Sequence, residues 1–150
     1  MTISLGYQIP NFSYPGGPQT LFDTVAAQAR EAEASGFDTV LVMDHFYQLP
    51  GIGTPDQPMM EAYSTLAALA ASTSTIKLSA LVTGNTYRNP AMLAKTVSTL
   101  DVISHGRAAA AARHGSAADV RHAVVRGRHA LHRHSHGYRG VGLIGVASAW

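Results

Sequence analysis

The 150 residues include no cysteine, which excludes disulfides and thiolate metal ligands without fixing a compartment. No apolar run approaches the roughly 18–20 residues that a membrane span requires. The start MTISLGYQIP has neither the basic head nor the long apolar stretch of a secretory signal. A cytoplasmic protein without a membrane partner is expected. Charged residues make up only 13% and aromatics 7%, against 46% hydrophobic residues, a balance that fits one soluble globular domain. No GxGxxG follows the first apolar run, which weighs against a dinucleotide-binding open sheet. A further scarcity is positional. The last 46 residues lack Lys, Glu, Asn, Gln, Pro, Thr, Phe and Met, yet hold seven of the eight His and seven of the eleven basic residues. The net charge of +2 therefore conceals four basic and eight acidic side chains in 1–104, and seven Arg against Asp119 alone beyond them. Two parts are expected: a patterned α/β stretch, 1–106, and an Ala/Arg/His/Gly-rich tail, 107–150, non-native or poorly ordered.

The first part repeats a strand–helix unit. Ile3 to Ile9 is a short apolar run stopped by Pro10, followed by a Gly/Pro-rich loop from Asn11 to Pro18. A helix then opens at Thr20, which forms a capping-box-like pair with Asp23. It places Phe22, Val25, Ala29 and Ala32 on one face and closes at Gly36. Phe37 to Met43 is β-rich and continuously apolar at its end, as a parallel strand covered on both faces should be. After the loop from Asp44 to Gln57, Pro58 suits a first helical turn, with Met59, Tyr63, Leu66, Ala67 and Ala70 at helical spacing. Ile76 to Thr83 is a third strand. Asn89 and Pro90 then cap and open a third helix, with Leu93, Val97 and Leu100 as its buried stripe. Three such units imply a parallel sheet, either a (β/α)8 barrel or a doubly wound open sheet. A complete barrel takes about 250 residues, so this length supplies about its first three to four units.

In either architecture the chemistry sits where strands end, at the loops after Ile9, Met43 and Thr83. Asp44-His45 places a carboxylate and an imidazole there. His exchanges protons near neutral pH, and a carboxylate beside it fixes its tautomer. The same pair also reads as Asp44 capping a turn with His45 packed beneath the loop. In Leu81-Val82-Thr83-Gly84-Asn85, the glycine lets backbone approach a flat ligand, and Thr83 and Asn85 offer hydrogen bonds to its rim. Arg88 serves either a phosphate or carboxylate or, by preference, an ion pair that fastens the loop. Tyr7, Phe12, Phe46 and Tyr47 either wall a pocket or pack as ordinary core.

The strings LGYQIPNF, GFDTVLVMDHF and TGNTYRNPAMLAKTVSTLDVIS, with the following GR, resemble the N-terminal part of the luciferase-like oxidoreductases, above all the branch that uses the deazaflavin coenzyme F420. The resemblance covers about residues 2–107. It implies an incomplete (β/α)8 barrel and hydride transfer between a deazaflavin, or alternatively FMN, and a small-molecule substrate. It also implies His45 as the acid/base residue supported by Asp44, and a cofactor ring backed by Leu81, Val82, Thr83, Gly84 and Asn85. A non-proline cis peptide is implied near Leu81-Val82.

After Arg107 the resemblance to those motifs stops. Members of the family continue into a fourth strand, a Gly-rich turn and often an acidic residue, whereas here Ala108 to Ala112 lead into Arg113-His114-Gly115. Ala, Gly, Arg, His and Val make up 37 of the last 46 residues, as out-of-register translation of GC-rich DNA would give. An inactive, frameshifted chain is the leading expectation, with catalysis requiring complementation by another chain. An open barrel edge would favour homo-oligomers or aggregation. The alternative is a non-enzymatic role for the tail. His129, His132, His134 and His136 would bind metal, or Arg121, Arg126, Arg128, Arg133 and Arg139 would bind nucleic acid. No acidic ligand accompanies the histidines and stacking aromatics are scarce, so neither a metal site nor a nucleic-acid partner is assigned.

Overall fold

The computed structural model describes residues 3–112. Its elements follow the strand–helix alternation: β1 (Gly6–Ile9), α1 (Leu21–Ala34), β2 (Thr39–Val42), α2 (Ala62–Ser72), β3 (Lys77–Thr83), a 3-10 turn (Asn85–Tyr87), α3 (Pro90–Ile103) and β4 (Ala108–Ala112). The strands form one parallel sheet in the order β1-β2-β3-β4. A doubly wound sheet reverses its strand order at a switch point. Chain order without reversal is that of a barrel segment, and this decides between the two architectures the sequence left open. Among the described residues no helix is long and apolar enough to cross a membrane.

Strand alternation divides the sheet into two faces. Ile9, Val40, Val42, Leu78, Ala80 and Ala108 pack outward against Val25 and Ala29 of α1, Leu66 and Leu69 of α2, and Leu93, Val97 and Leu100 of α3, forming one apolar core. Thr39, Leu41 and Ser79 turn to the inner face and are buried as well.

The helix ends explain several boundaries. At Gly36 (φ 83) the chain leaves α1 through paired bonds, Gly36 N–H to Glu33 O and Phe37 N–H to Ala32 O, the left-handed closure predicted for that glycine. Asn89 caps α3 as expected, accepting from the Ala91 and Met92 amides. Two expectations fail. Thr20 precedes α1 but its side chain makes no cap bond. The second helix starts at Ala62 rather than Pro58, because the Glu61 carboxylate accepts from the Tyr63 and Ser64 amides at 3.1 and 2.6 Å and satisfies the orphan donors there. β1 is also shorter than its apolar run: Ile3 and Leu5 are exposed, and the Leu5 amide donates to Asp38 Oδ2.

Two charged side chains tie the opposite end of the sheet. Glu33 accepts from the amides of Ser74, Thr75 and Ile76 and from the Thr75 hydroxyl. Arg107 donates to Ser104 O, Thr73 Oγ1, Ile76 O, Ala70 O and Thr73 O, satisfying the last carbonyls of α2. The scaffold thus includes Arg107 and β4, past the boundary composition had drawn at residue 106. The remaining tail, with His129, His132, His134 and His136 and the arginines from Arg121 to Arg139, lies outside the described residues.

Candidate functional site

At the C-terminal ends of the strands, β2 runs through buried Met43 to Asp44, also buried, and then into exposed His45, Phe46 and Tyr47. The Asp44 carboxylate faces away from His45. Its Oδ2 accepts from the Gly84 amide at 2.9 Å and from Arg88 Nε at 2.8 Å, and its Oδ1 accepts from an Arg88 terminal nitrogen at 2.5 Å. The expected support of His45 by Asp44 is therefore not a hydrogen bond. The carboxylate is engaged by a two-pronged guanidinium contributed from 44 residues along the chain.

The same Arg88 nitrogen donates to Glu61 Oε1 at 2.6 Å, and the guanidinium carbon lies 4.9 Å from the Tyr63 ring centroid and 5.6 Å from that of Tyr87. The hydrogen bond to Asp44 raises the Arg88 pKa further, against the effect of burial. Burial pushes the Glu61 carboxyl up, but Ser64 and Arg88 together bring it below its ordinary value. Of the roles left open for Arg88, the ion pair is the one present, and it joins the β2–α2 loop, the start of α2 and the β3–α3 loop.

The end of β3 carries the expected irregularity. Its pairing with β4 shifts register between Ala80 and Thr83, and the Leu81–Val82 peptide is cis. A bulge changes the parity of a strand. Ala80 belongs to the core, and three residues later Thr83 also faces the helices, its hydroxyl 2.6 Å from that of Tyr63. Thr83 is thereby removed from the ring rim where the sequence reading placed its side chain. Tyr63 is held as a neutral phenol, burial pushing it up to about 12. Leu81 and Val82 between them remain half-buried.

Gly84 follows at once, and Asn85 opens the 3-10 turn. A Cβ on Gly84 would overlap the end of the Tyr87 ring, which would have to swing aside, while the φ of −78 suits any residue. Tyr87 O–H donates to the Asp44 carbonyl, and its ring lies 4.6 Å from Phe46 at 60°. Of the four aromatic residues considered as walls, Phe46 and Tyr47 stand exposed at these strand ends. Phe12 is instead core, and Tyr7 packs edge-on against Phe37. Gln48, Glu61, Tyr63 and Tyr87 were not singled out as site residues. Gln48 is buried and donates to Pro10 O, linking the loop after β2 to the end of β1. Among the described residues no three His, Asp or Glu side chains gather as a metal site. A cavity of about 410 Å³ opens between α2 and α3, lined by Glu61, Ser64, Arg88, Lys95, Thr99 and Leu100, behind the ion pair and away from His45.

A parallel strand–helix scaffold with a bulged, cis-bonded third strand and a His at the end of the second is what the resemblance to a luciferase-like barrel implies. Residues 1–132 match the luciferase-like monooxygenase family, and the chain belongs to it. The match runs past Arg107, where the recognisable motifs stop. The chain is 38% identical over 84 residues to the 5,10-methylenetetrahydromethanopterin reductase of Methanolobus tindarius, covering 56% of this chain and 22% of that one. Among solved structures it is similar to the coenzyme F420 dependent tetrahydromethanopterin reductase from Methanopyrus kandleri, with 25% identity and a TM-score of 0.60 over 79% of this chain and 29% of that one. The oxygenating constituent of 3,6-diketocamphane monooxygenase from Pseudomonas putida shares the fold, with 23% identity and a TM-score of 0.60 over 76% of this chain and 30% of the other. The chain therefore spans less than a third of each of these three proteins.

Proposed function

We propose that these residues form the cofactor-facing part of an F420-dependent oxidoreductase, with FMN as the competing cofactor. One juxtaposition carries the reading: an exposed imidazole at the end of β2 beside the half-buried, bulged Leu81–Val82 segment at the end of β3. That segment is only half-buried, a surface that would fit one face of a flat tricyclic ring. Leu81, Val82 and Gly84 would back the ring, with Asn85 next in sequence, and Phe46 and Tyr87 would supply neighbouring aromatic surface. When bound, a deazaflavin supplies a two-electron hydride donor or acceptor. His45 would give or take the accompanying proton at a ring nitrogen, and Asp44 would act on the loop backbone rather than on the imidazole. The methanopterin reductases support F420 as the first choice, and the FMN complex of the diketocamphane enzyme names the alternative. The substrate is a small molecule of unassigned class.

The test is fluorescence titration of the purified 150-residue chain with F420 and, separately, with FMN. Saturable binding of F420 that outcompetes FMN supports the reading, and stronger FMN binding shifts it to a flavin enzyme. Absence of both overturns it. We further expect the 150-residue chain to show no turnover and to self-associate by sedimentation. The family match runs to residue 132, so we propose a tail foreign to the family only beyond it. Its test is the coding DNA, where continuation of the family pattern in another reading frame is expected.

A further inference from the structure

Arg88 forms no hydrogen bond to His45, Leu81 or Val82, yet the bonds it organises end on the backbone of both loops that the proposed function uses. We infer that Arg88 is a positioning residue that fixes His45 relative to the Leu81–Gly84 segment, an inference that rests on the cofactor reading above. The chain of contacts is short. The Gly84 amide, directly after the β3 bulge, donates to Asp44 Oδ2 at 2.9 Å. The Asp44 carbonyl, in the peptide that leads into His45, accepts from the Tyr87 hydroxyl. Asp44, at the start of the β2–α2 loop, is thus bonded to the β3–α3 loop twice over, through its carboxylate to Gly84 and Arg88 and through its main-chain carbonyl to Tyr87.

A buried carboxylate holds one rotamer only if its oxygens are matched, and Arg88 matches both at 2.8 and 2.5 Å. The guanidinium is itself held by Glu61 at 2.6 Å and by the ring faces of Tyr63 and Tyr87. Its geometry is therefore referred to the first turn of α2, which is anchored in the core through Tyr63 and Leu66. Lysine would provide charge but not the planar fork.

The experiment uses the full chain as wild type, Arg88→Lys and Arg88→Ala, with amide hydrogen exchange at Gly84 and His45 followed alongside F420 and FMN titration. Loss of Arg88 should accelerate Gly84 exchange by about tenfold beyond core amides such as Val40 and Leu78, and weaken cofactor affinity by about tenfold or more. Ethylguanidinium should restore both in Arg88→Ala, and ethylammonium neither, while Arg88→Lys should resemble Arg88→Ala. If Arg88→Ala does not fold, Arg88→Lys carries the same comparison. A wild-type chain that binds neither ring overturns the cofactor reading and this inference with it. Wild-type binding with variant affinity within about twofold overturns the inference alone, as does Gly84 exchange that rises only in step with the core.

Discussion

Arg88 grips two carboxylates that differ in one respect, burial, and the difference sets what each contributes. The Asp44 side chain is 4% exposed and the Glu61 side chain 47%. Removing one partner of a buried ion pair costs about 3–5 kcal/mol, whereas an exposed pair contributes about 0–1 kcal/mol. Arg88 is 19% exposed and keeps Glu61 when Asp44 is lost, so Asp44→Asn should fall near the lower limit, about 3 kcal/mol. Part of that cost is the Gly84 amide, which loses a charged acceptor. Glu61→Gln keeps one side-chain oxygen, enough for only one of the Tyr63 and Ser64 amides, which use separate carboxylate oxygens, and should cost about 1 kcal/mol. Urea unfolding of both variants at pH 7, checked for constant m-values, measures the ratio. Raising the salt concentration should shrink the Glu61→Gln effect and leave that of Asp44→Asn nearly intact. Equal costs, or a larger one for Glu61→Gln, would refute the argument that burial governs this cluster.

At the opposite end of the sheet, burial pushes the Glu33 carboxyl up, but the amides of Thr75, Ile76 and Ser74 and the Thr75 hydroxyl bring it down from 4.5 to about 2. A depressed folded pKa contributes stability that is present above the unfolded value and lost as pH falls toward the folded one. Stability should therefore drop between pH 4.5 and 2, and Glu33→Gln should flatten that limb while costing about 1–2 kcal/mol at pH 7, a figure discounted for partial exposure. His105 occupies a left-handed position (φ 56) in the closure of α3, its amide donating to Val102 O, so His105→Gly should raise the unfolding midpoint by an amount equivalent to about 0.5–1 kcal/mol. Gly84→Ala should displace the Tyr87 ring and cost about 1–2 kcal/mol. In a Tyr87→Ala background that cost should largely vanish, and a double-mutant cycle without coupling would count against the contact.

The elements most legible in the sequence were those with chemistry at their ends. Gly36 closes α1 and Asn89-Pro90 opens α3 because a left-handed turn and an N-cap each demand few residue types. The start of α2 misled because two local rules competed. Pro58 satisfied the first-turn pattern, but the helix begins where a carboxylate reaches the free amides, and glutamate seldom signals a cap by type alone. The ion pair that organises the site was legible as a preference at Arg88 but not as a partnership. Asp44, Glu61 and Arg88 are far apart in the chain, and only the parallel crossovers bring the strand ends together.

The two misplaced site residues show different limits. Asp44 and His45 are adjacent, and in an extended segment adjacent side chains point to opposite sides. Val42 packs against the helices, so alternation sends the Asp44 carboxylate to that same side, where Arg88 was the available cation, and the exposed imidazole to the other; the separation of the pair follows from strand geometry. Thr83 is different. Its direction depends on the bulge after Ala80, and the run LSALVT carries no residue that announces an extra position in the strand. Regular alternation from Leu78 and Ala80, both core residues, would send Leu81 and Thr83 inward together; the bulge instead returns Thr83 to the helices and Tyr63. Leu81 and Val82 are left half-buried at the strand end, which under the proposed reading is the surface that would meet one face of a flat ring. In the proposed reading the proton chemistry would come from the next strand over, where His45 stands exposed.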